Sequence, residues 1–289
     1  MSNFLLSAEA ACDLTNELAE KYQVSIMPMS FFVDGVEYKS NKSELSTIDV
    51  CLKMEAGSMT KTSQPNQSEI RDYLTTLLKQ GKDILHLSFS SAMSGTYSNF
   101  KSVAEELNKT NTNKVYVIDT LCQSSGVGVL LAILRDKIDK ENLNIEQAKE
   151  FVEQIKLNIV HYFVVEDLKY LARGGRLSST SAFIGNILRL KPVLHVDKTG
   201  KIVPLKKVIG RRKSVSVLIE KFKENYNGQS NKVFISDANC SKDCEFVKEE
   251  LLKINPDLDI TIVPLGTIIV SHSGPGTLAL YFTANERKA

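Results

Sequence analysis

Short runs of apolar residues alternate with helix-like stretches through the first 158 positions, and this rhythm limits the fold more than any other feature of the chain. Residues 4–6, 84–87 and 115–118 read as strands of the buried type. Amphipathic patterns lie between them. One helix opens at Asp13-Leu14-Thr15-Asn16 and runs through Leu18 to Tyr22, and another covers 47–56. In the stretch 66–79, Ile70, Leu74, Leu77 and Leu78 share one helical face. Helices are also expected over 95–107, 125–138 and 145–157. Parallel strands need long crossovers, usually helical, so this succession predicts a parallel sheet with helices on both faces. Residues 24–33 read as one strand bent at Pro28, Asp34-Gly35 as a tight turn into a return arm at 36–38, and 60–65 as a loop.

The second half has a different rhythm. An apolar run at 160–165 is followed by Asp197-Lys198-Thr199-Gly200 between two extended runs, a hairpin signal. Strand, helix and strand are expected at 232–236, 242–253 and 259–263. The stretch 267–282 reads as extended and apolar, broken by a rigid turn at Ser271-His272-Ser273-Gly274-Pro275-Gly276. The expected architecture is α/β in two domains. Residues 1–158 carry the parallel sheet and 159–289 a mixed sheet with helices.

Composition narrows the function. With 289 residues, 43% of them apolar and 24% charged, the chain has enough core for two folded domains. Its 36 Lys and Arg nearly cancel 34 Asp and Glu, so a nucleic-acid binder working by phosphate neutralisation is not expected. No window holds the 18 or so apolar residues of a membrane span, and the first residues lack a secretory pattern. Cytoplasmic placement is therefore expected. The cysteines at 12, 51, 122, 240 and 244 form no C-x-x-C, and the histidines at 86, 161, 195 and 272 do not cluster with them. Structural thiols in a reducing compartment, and no metal or cofactor, are the expectation.

Polar loops follow the apolar runs. Thr62-Ser63-Gln64-Pro65-Asn66 enters one helix, and Ser88 to Tyr97 leads from a buried strand into another. In open parallel sheets ligands gather beyond the carboxyl ends of strands, where helix N-termini and hydroxyls suit an anion. The same residue types also serve as plain helix caps. His272 between two serines is either a structural imidazole or a hydrogen-bonding partner for a carboxylate. Arg173-Gly174-Gly175-Arg176 is either a helix end with solvated arginines or an arginine pair facing a phosphate or an acidic partner. Lys206-Lys207 and Arg211-Arg212-Lys213 add a basic stretch. Phe183, Ile184, Ile187 and Leu188 form a helical stripe, core or tunnel lining.

Together these segments resemble the DegV family. The match lies in Thr62-Ser63-Gln64-Pro65, Ser94-Gly95-Thr96-Tyr97, Glu166-Asp167-Leu168 with Arg173-Gly174-Gly175-Arg176-Leu177-Ser178, Leu190-Lys191-Pro192-Val193-Leu194 and His272-Ser273-Gly274-Pro275-Gly276-Thr277. The resemblance implies a two-domain protein that buries one long-chain fatty acid between its domains. Such a protein has no catalysis of its own, and serves in some bacteria as the lipid-binding subunit of a fatty acid kinase. The partner kinase makes an acyl phosphate that feeds phospholipid synthesis. It further implies that Thr62 and Ser94 hold the carboxylate with His272 beside them, that Ser63, Gly95 and Thr96 shape the loop, and that Arg173 and Arg211 face the kinase. One departure stands out. Where the family has an Asp-Ser-Thr-like segment before Asp-Leu, this chain reads Glu9-Ala10-Ala11-Cys12-Asp13-Leu14.

The ligand suits the composition. About fourteen buried methylenes at roughly 0.8 kcal/mol each give about 11 kcal/mol gross, the scale of nanomolar affinity before association costs. Neutral hydroxyls then orient the head group, and no cation is required in the pocket. The competing reading is a serine hydrolase or acyltransferase using Ser94 and His272, with Asp119 as a third member. It lacks the G-x-S-x-G elbow. A nucleotide-handling reading lacks both phosphate-loop patterns, although Gly126-Val127-Gly128 supplies a partial one.

Overall fold

The computed structural model describes residues 3–42, 44–177 and 190–287. In chain order the first half contains β1 (Phe4–Glu9), α1 (Asn16–Lys21), β2 (Val24–Met27), β3 (Ser30–Val33), β4 (Val36–Lys39) and α2 (Thr47–Glu55). Then come β5 (Thr60–Ser63), α3 (Gln67–Leu78), β6 (Asp83–Ser88), α4 (Thr96–Thr110), β7 (Val115–Asp119), α5 (Ser125–Glu141) and α6 (Ile145–Ile155). The second half contains β8 (Ile159–Val164), α7 (Lys169–Arg173), β9 (Leu190–Val196), β10 (Ile202–Ile209), α8 (Arg211–Asn225) and β11 (Lys232–Asp237). It ends with α9 (Ser241–Ile254), β12 (Asp259–Pro264), α10 (Thr267–Ser273) and β13 (Leu278–Thr283).

The main sheet of the first half is parallel throughout, in the order β2-β1-β6-β7. The second half builds a six-stranded mixed sheet, β10-β9-β8-β13-β11-β12, in which only β11 and β12 pair in parallel. The expected α/β fold, with an N-terminal parallel sheet and a C-terminal mixed one, is therefore present. Local sequence chooses the helix boundaries. Ser46 with Asp49, Asn66 with Glu69 and Asn144 with Gln147 form reciprocal capping boxes. Ile70, Leu74 and Leu77 then bury one face of α3.

Three local readings change. The stretch 24–33 is not one bent strand. The break after Met27 lets β2 finish the parallel sheet while β3 starts a separate antiparallel sheet, β4-β3-β5. Residues 60–63 are not a loop, because Thr60 to Ser63 pair with Val33 to Ser30. Residues 267–273 are helical rather than extended. Gly266 begins that helix, and Gly274, at φ +84°, ends it. The β-branched run Thr267 to Val270 is overridden by packing of α10 on α2, α7, β3 and β5.

Helix α5 joins the two sheets. It touches β6 of one and β8, β11 and β13 of the other, and eleven of its residues are buried. Two glycines permit this closeness. A Cβ on Gly126 would lie 2.0 Å from His161 Nε2, and one on Gly128 would lie 3.3 Å from the Cys12 carbonyl oxygen. The Gly-Val-Gly pattern is thus a packing device between sheets. The helix core is continuous with apolar residues from both halves, including Leu6, Leu87, Leu131, Phe163 and Phe234. No helix among the described residues is long and apolar enough to cross a membrane.

Candidate functional site

A cavity of about 280 Å³ opens where the strand ends of the parallel sheet meet the mixed sheet. It is many times the roughly 10–15 Å³ that one water needs. Its apolar wall draws Met29 and Phe89 from the first half and Phe163, Ile202, Leu265 and Ile268 from the second. Thr62, Ser94, Thr96 and His272 all border it.

Two elements set the Thr62 side. On β5, Thr60 and Thr62 are two apart and project from one face of the strand. Thr60 Oγ1 donates to the Ser271 carbonyl at 2.8 Å, and Thr62 Oγ1 shares a 2.7 Å hydrogen bond with His272 Nε2. His272 sits on the last turn of α10, not on an open turn as its Gly-Pro-Gly context suggests. Burial, and then the charge of Arg176, pull its imidazole down to about 4, so it is neutral at pH 7. Its other face is pinned by backbone: a Cβ on Gly174 would lie 2.5 Å from His272 Nδ1.

Ser94 closes the loop after β6. Its Oγ bonds Thr96 Oγ1 at 2.8 Å and accepts from the Thr96 N–H at 3.3 Å, which places it over the start of α4. Of the supporting residues, Ser63 is exposed and does not border the cavity. Gly95 packs on Gln64, whose Oε1 would lie 2.5 Å from an added Cβ. Gln64 itself borders the cavity.

The hydrolase geometry does not form. The imidazole meets Thr62 rather than Ser94. Asp119 accepts from the Ser91 and Leu121 N–H groups, at 3.1 Å each, so it serves the loop backbone.

The arginines do not act as a pair. Arg173 is exposed, with its guanidinium over Tyr170 and 3.0 Å from Met59 Sδ. Arg176 instead borders the cavity. Arg211 begins α8 and pairs with Asp243 at 2.8 Å and Glu166 at 3.2 Å, outside the cavity lining. Ser178 and the stripe Phe183, Ile184, Ile187 and Leu188 lie outside the described residues.

Glu9 is also part of the wall. Its Oε1 accepts from the Phe89 N–H at 2.7 Å and from Ser88 Oγ at 3.2 Å, and its Oε2 lies 3.1 Å from His86 Nε2. The departure from an Asp at this position was its only signal in the sequence. Nearby, Ser124 donates to Asp13 at 2.5 Å, and burial raises the Asp13 carboxyl to about 8.

Away from the cavity, Asp237, Cys240 and Cys244 bring three ligand atoms within 4.8 Å of one another. Asp237 Oδ1 already accepts the Cys240 N–H at 2.6 Å, and the Cys244 thiol is pushed up by its Cys240 hydrogen bond and by burial.

Fold and site define a class: an α/β protein whose parallel and mixed sheets enclose a largely apolar cavity with hydroxyls and a neutral imidazole at its edge. The family model described as "Uncharacterised protein, DegV family" matches residues 5–285. A DegV domain-containing protein of Clostridium perfringens is 33% identical over 291 residues, covering 100% of both chains. The chain belongs to the DegV family. It is also 28% identical over 286 residues to a fatty acid-binding protein of Thermotoga maritima, covering 97% of each. The crystal structure of a fatty acid binding DegV family protein from Streptococcus agalactiae superposes with a TM-score of 0.84 at 27% identity, over 99% of this chain and 100% of that one.

Proposed function

We propose that this protein binds one long-chain fatty acid in the cavity, with Thr62, Ser94 and His272 at the carboxylate and the tail among apolar side chains of both halves. One observation carries the reading: hydroxyls and a neutral imidazole gather at one part of a cavity whose remaining wall is largely apolar. Relatives that carry the fatty-acid-binding name support it. Tail burial supplies affinity and the polar groups supply orientation. On this reading the chain divides into domains 1–158 and 159–289, with the ligand at their seam. The protein is a carrier without catalysis of its own. A partner kinase converts the bound carboxylate to an acyl phosphate, and Arg173 and Arg211 face that partner.

Mass spectrometry of organic extracts of the purified protein tests the ligand. A single fatty acid per chain is the expected result. No extracted fatty acid and no uptake of added palmitate or oleate refutes the reading. Arg173→Glu is expected to weaken coupling to the kinase with lipid content unchanged, and loss of lipid would refute that role. A fluorophosphonate probe is expected to leave Ser94 unlabelled.

A further inference from the structure

Outside the cavity lining, the turn from β11 to α9 gathers three side chains of the kinds that bind metals. Strand β11 ends at Asp237, Asn239 at φ +65° redirects the chain, and Cys240 caps α9. Positions four apart share a helix face, so the Cys240 thiol meets that of Cys244 one turn on. The two sulfurs are 4.0 Å apart, and a carboxylate oxygen of Asp237 lies within 4.8 Å of both. Asp237 and Cys240 are half-buried, whereas Cys244 is buried. Neither a C-x-x-C nor a nearby histidine marks the group in the sequence; its third member is Asp237, shortly before Cys240. No other such group of three forms among the described residues.

The spacing suits a metal. A disulfide needs its sulfurs about 2.05 Å apart, roughly half the distance found here. Two thiolates on one tetrahedral zinc, each about 2.3 Å from it, stand about 3.8 Å apart. Asp237 is already oriented, since its Oδ1 accepts the Cys240 N–H at 2.6 Å and leaves Oδ2 for a cation. Asp243, the other carboxylate of this turn, is engaged by Arg211 at 2.8 Å. The Cys240 hydrogen bond and burial push the Cys244 thiol up, against the pull of Arg211. A bound cation reverses that balance, because a coordinating thiol gives up its proton. The N-terminus of α9 adds its partial positive charge beside both sulfurs. Strands β11 and β12 are parallel and joined by α9, and ligand sites gather beyond the carboxyl ends of such strands.

We propose that Asp237, Cys240 and Cys244 bind one Zn²⁺ ion, with a water in the fourth position. Two thiolates and one carboxylate favour zinc over magnesium or calcium, which take oxygen ligands. The two thiol protons leave for solvent as the two Zn–S bonds form. The partly exposed side of Asp237 and Cys240 gives the ion its way in and leaves room for the water. The site lies beside the cavity wall rather than in it. Cys240 Sγ donates to the Thr277 carbonyl at 3.4 Å, as does the Ala238 N–H at 3.0 Å, and Thr277 borders the cavity. The ion therefore clamps a turn that supports this wall, whatever the cavity holds.

Cobalt makes the site visible. Reduced, chelator-treated full-length protein is titrated with Co²⁺, and then with Zn²⁺ in competition with a chromophoric chelator. The expected result is one metal per chain, bound in the micromolar range or tighter. A near-ultraviolet band from cobalt–thiolate bonds should appear and vanish when Zn²⁺ is added. Cys240→Ser, at a half-buried position, is expected to halve that band and to lower Zn²⁺ affinity by about 100-fold or more, beyond the usual loss for a partner outside the ligand set. Asp237→Asn keeps the oxygen that caps Cys240 and is expected to weaken Zn²⁺ while the band survives. No thiolate band in the reduced wild type, zinc binding weaker than micromolar, or a full band in Cys240→Ser would each overturn the proposal. So would a Cys240–Cys244 disulfide that forms in air while the reduced protein takes up no metal, which would make the cluster a redox pair.

Discussion

Two polar clusters share the wall of the cavity, and they differ in how completely their members are partnered. In the first, Glu9 joins His86, whose Nδ1 lies 2.9 Å from Ser7 Oγ. Ser7 in turn meets Tyr73 OH at 2.8 Å, and Tyr73 donates to the Ser25 carbonyl at 2.8 Å. Glu9 and His86 are almost fully buried, and the chain of bonds is closed. In the second, Thr62, His272, Ser94 and Thr96 bond in pairs, and Ser273 Oγ is buried without a partner among the described residues. Among the described residues, Arg176 donates to the Gly174 carbonyl. A closed cluster fixes the backbone, whereas an open one has capacity left for a ligand. The residue types are alike, so the difference lies in saturation.

The comparison breaks most visibly in the closed cluster. Glu9→Ala strands His86, Ser88 and the Phe89 N–H in the interior, and is expected to lower unfolding stability by about 3–5 kcal/mol. Urea denaturation measures this, and a loss below about 1 kcal/mol would show that the cluster is not the anchor of the Ser88–Ser94 loop. In the open cluster the effects should reverse. Thr62→Val and Ser94→Ala are each expected to cost about 1–2 kcal/mol of fatty-acid affinity, roughly tenfold, while stability moves by less than about 1 kcal/mol. Titration calorimetry beside a melting curve separates the two. A smaller loss of affinity, a few-fold, is expected of Gly174→Ala, since its methyl group displaces the His272 ring from Thr62. A crystal structure with the ring unmoved would rule that out.

A further effect, on stability rather than affinity, lies in acid. His272 titrates near 4 in the folded chain against an ordinary 6.5. The unfolded state therefore binds the proton more readily. Stability is full above about pH 6.5 and falls as pH drops from there through 4. His272→Asn should flatten that limb, and equal slopes in variant and wild type would place the titration elsewhere.

Much of this was legible in the chain. Ser94 follows the apolar run 84–87, which must be a strand, so its place beyond the carboxyl end of the parallel sheet came from spacing and topology. The parallel sheet and the hairpin around Asp197 to Gly200 came from the same signals. Thr60 to Ser63 gave no such signal, because Thr-Lys-Thr-Ser lacks an apolar face and becomes a strand only by pairing with β3. The run Thr267 to Val270 misled in the other direction, since β-branched residues favour strands until tertiary packing decides. Arg173 and Arg176 are indistinguishable as letters. Only the backbone reversal at Gly175 sends them opposite ways.

Helix α5, wedged against both sheets with glycine-tight contacts, behaves as a rivet. A molecule fastened this way is not expected to gape like a clamshell, so on the fatty-acid reading cargo is expected to enter by local movement beside the cavity, as at α10 or the stretch from Ser90 to Gly95. Amide exchange in α5 is then expected to stay slow while lipid comes and goes. Protection lost in step with cargo turnover would mean that the rivet slips.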